Sequence, residues 1–248
     1  EGYNRIRTGA SRRMLCGGTE GSSHYIWAGF DSMRVLSRKY NDEPGRASRP
    51  LSASAAGFVP SSGAGVLLLE NLEDAESRGA RIYGEVLGGD INCGGHRSGG
   101  SMTAPNPEGV QRCIRAAVED SGIEPEEIDA INGHLTATGA DSSEVVSWSK
   151  ALGLGPENFP LITSTKSMIG HALGAAGALE VVASMLMLDG NFVHPSINCE
   201  DVHPKVEDFA GSIPHTVEEL PQLSTIIKAG FGFGDVNVCA VFRKWLNN

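Results

Sequence analysis

The chain has 248 residues, 40% of them hydrophobic, and a formal net charge of -10, which argues against a general nucleic-acid binder because duplex affinity depends on neutralising many phosphates. Its five cysteines (Cys16, Cys93, Cys113, Cys199, Cys239) are odd in number and widely spaced, so they do not read as a disulfide framework and point to a reducing, intracellular setting. Without HExxH, CxxC or clustered His/Cys spacing there is no metal site to propose, and the longest apolar run falls short of a membrane span. The expectation is a soluble cytoplasmic protein forming one continuous body, since no linker or repeat divides it.

Residues 1–13 read as a helix end stopped at Gly9. Met14-Leu15-Cys16 reads as a short buried strand ending in Gly17-Gly18-Thr19-Glu20, and Ile26 to Leu36 as a helix with Trp27, Phe30, Met33 and Leu36 on one side. Positive charge is uneven: Arg5, Arg7, Arg12 and Arg13 near the start, then Arg34, Arg38, Lys39, Arg46 and Arg49. That pattern fits either a basic face toward an acidic partner or an ordinary solvated surface. Gly57-Phe58-Val59 and Gly65 to Glu70 read as strands around Pro60-Ser61-Ser62-Gly63, a turn that leads into a strand and so is not a phosphate loop.

Leu72 to Arg78 predicts a short acidic helix, Ile82 to Leu87 a strand, and Gly88 to Gly100 a loop. Pro107 to Asp120 has the apolar spacing of a helix through Val110, Ile114, Ala117 and Val118, and stops at Gly122. A strand through Ile131 leads to His134, a helix runs from Ser142 to Leu152, and Thr225 to Gly230 and Val236 to Phe242 are strands joined through Phe231-Gly232-Phe233-Gly234-Asp235. Because a strand follows those glycines, they are not a dinucleotide fingerprint. The centre of the chain is Leu161 to Gly177, a buried strand, a polar turn carrying Lys166 and His171, and the start of an apolar helix running to Leu188. Glu180 is the only charge in that helix before Asp189. The turn reads either as a helix-capping segment with a satisfied histidine or as a reactive site with desolvated titratable groups. Strands alternating with helices, with reactive residues at strand ends, suit a layered α/β enzyme.

The motifs Asn41-Asp42-Glu43-Pro44, Ala47-Ser48-Arg49-Pro50, Met102-Thr103-Ala104-Pro105, Ser164-Thr165-Lys166-Ser167-Met168, Gly170-His171, Leu173-Gly174-Ala175-Ala176-Gly177 and Gly230-Phe231-Gly232-Phe233-Gly234 resemble the β-ketoacyl-acyl-carrier-protein synthases, most closely their elongating, KAS II-like branch. The resemblance implies a thiolase-like layered α/β/α/β/α fold, here mainly its C-terminal half. Residues 1–70 are then the tail of the N-terminal half and 71–248 the C-terminal half. It implies an acyltransferase that decarboxylates malonyl-ACP and condenses it with an enzyme-bound acyl group, in fatty acid or polyketide synthesis. The alternative is a non-catalytic, chain-length-factor-like partner subunit, which has no need of either imidazole.

By the same resemblance, His134 and His171 donate hydrogen bonds to the forming enolate, and Lys166 orders the site by pairing with Glu144. The Phe233 amide helps hold an oxyanion while its ring, flanked by Gly232 and Gly234 and joined by Phe30, borders the acyl pocket. Thr103, Thr136 and Thr138 bind the pantetheine arm, and Arg34, Arg38 and Lys39 dock the acyl carrier protein. No cofactor is implied beyond the phosphopantetheine arriving on that carrier, and the implied assembly is a homodimer or a ketosynthase heterodimer. The nucleophilic cysteine of the family pattern is expected before Glu1. Departures are also visible: the usual His-Gly-Thr-Ser-Thr is His134-Leu135-Thr136-Ala137-Thr138, with a connection to Asp141 and Glu144 one residue shorter. Gly-Glu-Gly-Ala is Ser61-Ser62-Gly63-Ala64, and Asp235 replaces a glycine after Phe233, an exchange expected to stiffen or charge the gate.

Overall fold

The computed structural model describes residues 1–246. In chain order its strands and helices are α1 (Gly2–Arg7), β1 (Arg13–Glu20), α2 (His24–Ser32), β2 (Gly63–Glu70), α3 (Leu72–Ser77), β3 (Glu85–Cys93), α4 (Pro107–Ser121), β4 (Ala130–Asn132), α5 (Asp141–Leu152), β5 (Leu161–Thr163), α6 (Lys166–Ile169), α7 (Ala176–Gly190), β6 (Phe192–Val193), β7 (Glu218–Glu219), β8 (Thr225–Gly232) and β9 (Val236–Arg243). A mixed five-stranded sheet in the order β3-β9-β8-β4-β5 is the centre. Its β4 runs parallel to both β5 and β8, while β9 is antiparallel to β8 and β3.

Alternation along the strands builds two cores, one on each sheet face. Ile227, Ala229, Cys239 and Val241 join Val110, Ile114 and Ala117 of α4 and Val145 and Trp148 of α5 on one side. Ile226 and Phe242 point the other way and meet Met185 and Leu188 of α7. Beyond α7 lies the antiparallel β1–β2 ribbon, so helices, sheet, helix and ribbon stack in layers. The ribbon approaches α7 backbone to backbone. A Cβ on Gly65 would lie 2.7 Å from the Ala178 carbonyl carbon, and one on Gly18 2.6 Å from the Gly174 carbonyl oxygen. Those glycines serve close approach within a strand, which corrects the reading of Gly17 to Glu20 as the end of a buried strand. Leu15, in the same strand, is 72% exposed.

Other elements shift for equally local reasons. The helix expected over Ile26 to Leu36 is α2, capped by the Ser23 hydroxyl accepting from the Tyr25 N–H. Gly57 to Val59 makes only an isolated bridge, Leu36 to Phe58, and the next residue, Pro60, makes another with His171. The strand placed at Ile82 to Leu87 slides to β3, so much of the predicted loop after Gly88 is paired with β9. Its Gly88 lies where a Cβ would meet the Ser121 backbone nitrogen of α4 at 2.5 Å. By contrast, α4 starts behind the Asn106 cap and ends with Gly122 in the left-handed region, as its sequence signals require.

The polar turn expected around Lys166 and His171 contains the short helix α6, ended by Gly170 at φ +72°, and a 3-10 turn over Leu173–Ala175 precedes the apolar helix α7. This helix is not covered on every face, since Leu186 is half exposed. The stretch Leu173–Gly190, at 18 residues and a mean hydropathy of 1.4, meets the length and composition of a membrane span, although Glu180 and Asp189 interrupt its apolar run. Its packing is that of a core helix between sheet and ribbon.

Candidate active site

Lys166 begins α6 directly after β5 and is 2% exposed. Its Nζ pairs with Glu180 Oε1 of α7 and donates to the His134 carbonyl at 2.6 Å. The other oxygen of Glu180 takes Lys228 Nζ of β8 at 2.7 Å. This corrects the expected Lys166–Glu144 pair: the carboxylate partner is Glu180. The reason is topological, because β5, β4 and β8 are adjacent and α7 crosses behind them, so Lys166, Asn132 and Lys228 converge on one turn of α7. Asn132 adds Nδ2 donation to the Glu180 carbonyl at 3.0 Å and to Ser184 Oγ at 3.1 Å.

Glu144 instead holds the loop after β4. Its carboxylate accepts from the backbone N–H groups of His134 at 2.7 Å and Leu135 at 2.9 Å, and from Trp148 Nε1 at 3.3 Å. One turn earlier on α5, Asp141 accepts from the N–H groups of Thr136, Ala137 and Leu51 at 2.8, 3.0 and 3.0 Å. Two carboxylates on one helix turn thus fix the shortened loop, with Leu135 and Ala137 at φ of 20° and 63°. Burial pushes the Glu144 carboxyl up to about 7, opposed by those backbone donors. Converging N–H donors need an acceptor-only group, so the ionised form is the one that holds the loop.

His171 follows Gly170 and is anchored by its N–H to the Val59 carbonyl at 2.8 Å. The Leu173 N–H donates to His171 Nδ1 at 3.1 Å, which requires an unprotonated Nδ1 and leaves the proton of the neutral ring on Nε2. The His134 and His171 rings stand 5.5 Å apart at 85°. Burial, reinforced by the Lys166 charge, lowers His171 to about 3 and holds His134 well below the ordinary imidazole range. Both rings are therefore neutral near pH 7. A line of aromatic contacts leads outward from them: His171 to Phe58 at 5.3 Å, Phe58 to Phe30 at 5.1 Å, and Phe30 to Phe233 at 5.9 Å between centroids. Phe231 closes the inner end, 5.8 Å from His134.

Phe233 sits half exposed at the tip of the β8–β9 hairpin, between Gly232 and Gly234, the latter at φ +87°. Asp235 does not charge that tip. It is fully buried, and its carboxylate accepts from the N–H groups of His96 at 2.9 Å and Asn106 at 2.7 Å, tying the hairpin to the loop before α4. The same loop is joined to the tip where the Gly234 N–H donates to the Met102 carbonyl at 3.0 Å, placing the turn of Thr103 beside Phe233. Thr136 and Thr138 lie on the His134 loop with their hydroxyls 3.0 Å apart.

The basic cluster does not form one free face. Arg49 is buried and bonded to Glu200 at 2.8 Å and Asp201 at 3.1 Å, Arg46 pairs with Glu43, and Arg38 Nε reaches Asp31 at 2.8 Å. Lys39 lies over the Tyr40 ring. Arg34, just after α2 in a left-handed conformation, is exposed and makes no ion pair among the described residues. Burial pushes the Cys113 and Cys199 thiols up to about 12 and Cys239 well above its ordinary value, so none of these three is a ready thiolate.

Residues 1–75 match the family described as "Beta-ketoacyl synthase, N-terminal domain", and residues 83–200 match "Beta-ketoacyl synthase, C-terminal domain". The chain is 38% identical over 250 residues to a 3-oxoacyl-[acyl-carrier-protein] synthase 2 of Synechocystis, covering 99% of this chain and 58% of that protein. Among solved structures, a β-ketoacyl synthase from Burkholderia phymatum superposes with a TM-score of 0.91 at 32% identity, covering 99% of this chain and 58% of that one. A ketosynthase in complex with its type II polyketide acyl-carrier protein gives 0.90 at 30% identity, with coverage of 99% and 59%. The chain spans a little over half the length of these relatives, and across that span it belongs to the β-ketoacyl synthase family of the thiolase superfamily.

Proposed function

We propose that this chain carries the malonyl half-site of a β-ketoacyl-ACP synthase, which decarboxylates malonyl-ACP and directs the resulting carbanion at an enzyme-bound acyl group. The observation that carries the reading is the pair of neutral imidazoles beside a buried lysine, at the inner end of an aromatic-lined approach. Loss of carbon dioxide places negative charge on the thioester oxygen, and preorganised neutral donors stabilise that charge without reorganisation. His171 is held to offer Nε2–H. In this reading Lys166, through the His134 carbonyl, sets where the second ring stands. Thr136, Thr138 and Thr103 offer hydroxyls to the amides of a pantetheine arm, while the Phe233 amide and ring serve the oxyanion and the acyl pocket. The acyl-accepting cysteine is none of the five in this chain.

A non-catalytic partner subunit has no use for two imidazoles held neutral, so the catalytic reading is preferred. Cytoplasmic location, a dimeric assembly and the fatty acid or polyketide product belong to the same proposal. Incubating the protein that carries this chain with malonyl-ACP and an acyl thioester, and following β-ketoacyl-ACP by mass spectrometry, tests it. Two-carbon extension with release of carbon dioxide is expected. Neither decarboxylation nor extension with any acyl length would show a structural subunit.

The carrier is expected to dock against Arg34, with Arg38 contributing less because Asp31 already neutralises part of its charge. Reversing Arg34 to Glu should raise KM for a carrier-borne substrate by about three- to tenfold and flatten its salt dependence, as for a charge at the rim of an interface. Turnover of a small-molecule thioester should hardly change. Equal losses on both substrates would make Arg34 structural.

A further inference from the structure

Lys228 has no place in the family pattern read from the sequence, yet it is 4% exposed and lies on β8 with its Cα paired to Asn132, two residues before His134. Its ammonium takes Glu180 Oε2 at 2.7 Å and also donates to the Ala229 carbonyl. Glu180 is thus shared by two buried ammonium groups, and among the described residues no second carboxylate pairs with either lysine. Glu144 and Asp141 face the site from α5 but are engaged by backbone N–H groups, and His194, from the loop after β6, bonds Thr163 and Thr165. With both ammonium groups protonated, the cluster Lys166, Glu180 and Lys228 carries one uncompensated positive charge, against which burial lowers the Lys166 pKa.

We propose that Lys228 is a positioning residue of the half-site, adding to the positive charge that disfavours imidazolium at His134 and His171 and holding Glu180 so that Lys166 can fix the His134 carbonyl. Its catalytic consequence rests on the synthase reading, but its electrostatic core does not. A cation near a ring disfavours imidazolium, and both rings feel Lys166 and Lys228 in this sense, while Glu180 acts oppositely on His171. Removing Lys228 leaves the cluster neutral, so both imidazoles should then protonate at higher pH. The upward shift should be smaller than the one caused by removing Lys166, whose charge weighs more on both rings. Because only neutral rings donate without carrying charge themselves, the acid limb of malonyl decarboxylation should move to higher pH by a similar amount.

The test is NMR titration of labelled histidine in the protein carrying this chain, as wild type, Lys228→Met and Lys228→Arg, alongside the pH profile of malonyl-thioester decarboxylation. Raised His134 and His171 titrations in Lys228→Met, restored by Lys228→Arg, support the proposal even if the wild type proves inactive on malonyl thioesters, which would defeat only the synthase reading. Unchanged titrations in a folded Lys228→Met overturn it. Where neither variant folds, the wild-type lysine Nζ resonances decide: a charged Lys228 alongside charged Lys166 at pH 7 supports the proposal, and a neutral Lys228 overturns it.

Discussion

Replacing His171 by alanine is expected to cut malonyl-thioester decarboxylation by about a hundred- to a thousandfold, the cost of removing one preorganised oxyanion donor. The ring stands where a backbone N–H, that of Leu173, occupies Nδ1, so its one remaining donor is Nε2–H, and alanine removes it. His134→Ala should lose a comparable factor, because its ring is the other donor 5.5 Å away. The double variant should fall short of the product of the two, since groups acting on one oxygen are not independent. The readout is carbon dioxide release under single-turnover conditions, with near-ultraviolet circular dichroism to show that the fold persists. Decarboxylation at the wild-type rate in both folded single variants would remove the imidazoles from the chemistry and with them the proposed function.

Replacing Glu180 by alanine is expected to destabilise the fold by about 3–5 kcal/mol, the usual cost of removing one partner from a buried ion pair. Here the change strands two ammonium groups, each at most 4% exposed on its side chain, in a site lined by α7, β8 and the end of β5. For a domain of this size the loss corresponds to roughly 10 °C in Tm, measured by thermal unfolding. Adding Lys166→Met and Lys228→Met to the Glu180→Ala background should recover part of it, because the stranded charges, more than the lost attraction, carry the penalty. A Glu180→Ala variant within about 1 kcal/mol of wild type would mean that the lysines release their protons cheaply and that the cluster carries little charge.

Glu180 also shows how far the amino-acid sequence reaches. Its isolation as the one charge in an apolar helix before Asp189 was visible, and a lone charge on such a helix signals a buried partner. Nothing along the chain says which partner, because Lys166 and Lys228 lie on opposite sides of Glu180 in sequence, on elements that only the sheet order brings together. The choice of Glu144 failed for the same reason: spacing along α5 places it under the His134 loop, where backbone N–H groups claim it before any lysine does. Likewise Asp235 read as stiffening or charging the gate, and only the fold decides between them: it buries the carboxylate against two N–H donors of the loop before α4, which ties the hairpin down without charging its tip.

Local signals were sufficient wherever one element answers to its own residues. The Asn106 cap, Pro107 and Gly122 delimit α4, alternating apolar residues mark β8 and β9, and His134, Lys166 and His171 stand at strand or helix ends where their motifs put them. The identity of the chemical groups, and the family they resemble, were therefore set by sequence. Which carboxylate meets which lysine, that two imidazoles stand 5.5 Å apart, and that four aromatic rings line the approach are properties of sheet order and layer packing. Contacts between β4, β5, β8 and α7 depend on crossovers that bring distant segments together, and hydrogen-bond donors choose among acceptors only after that assembly.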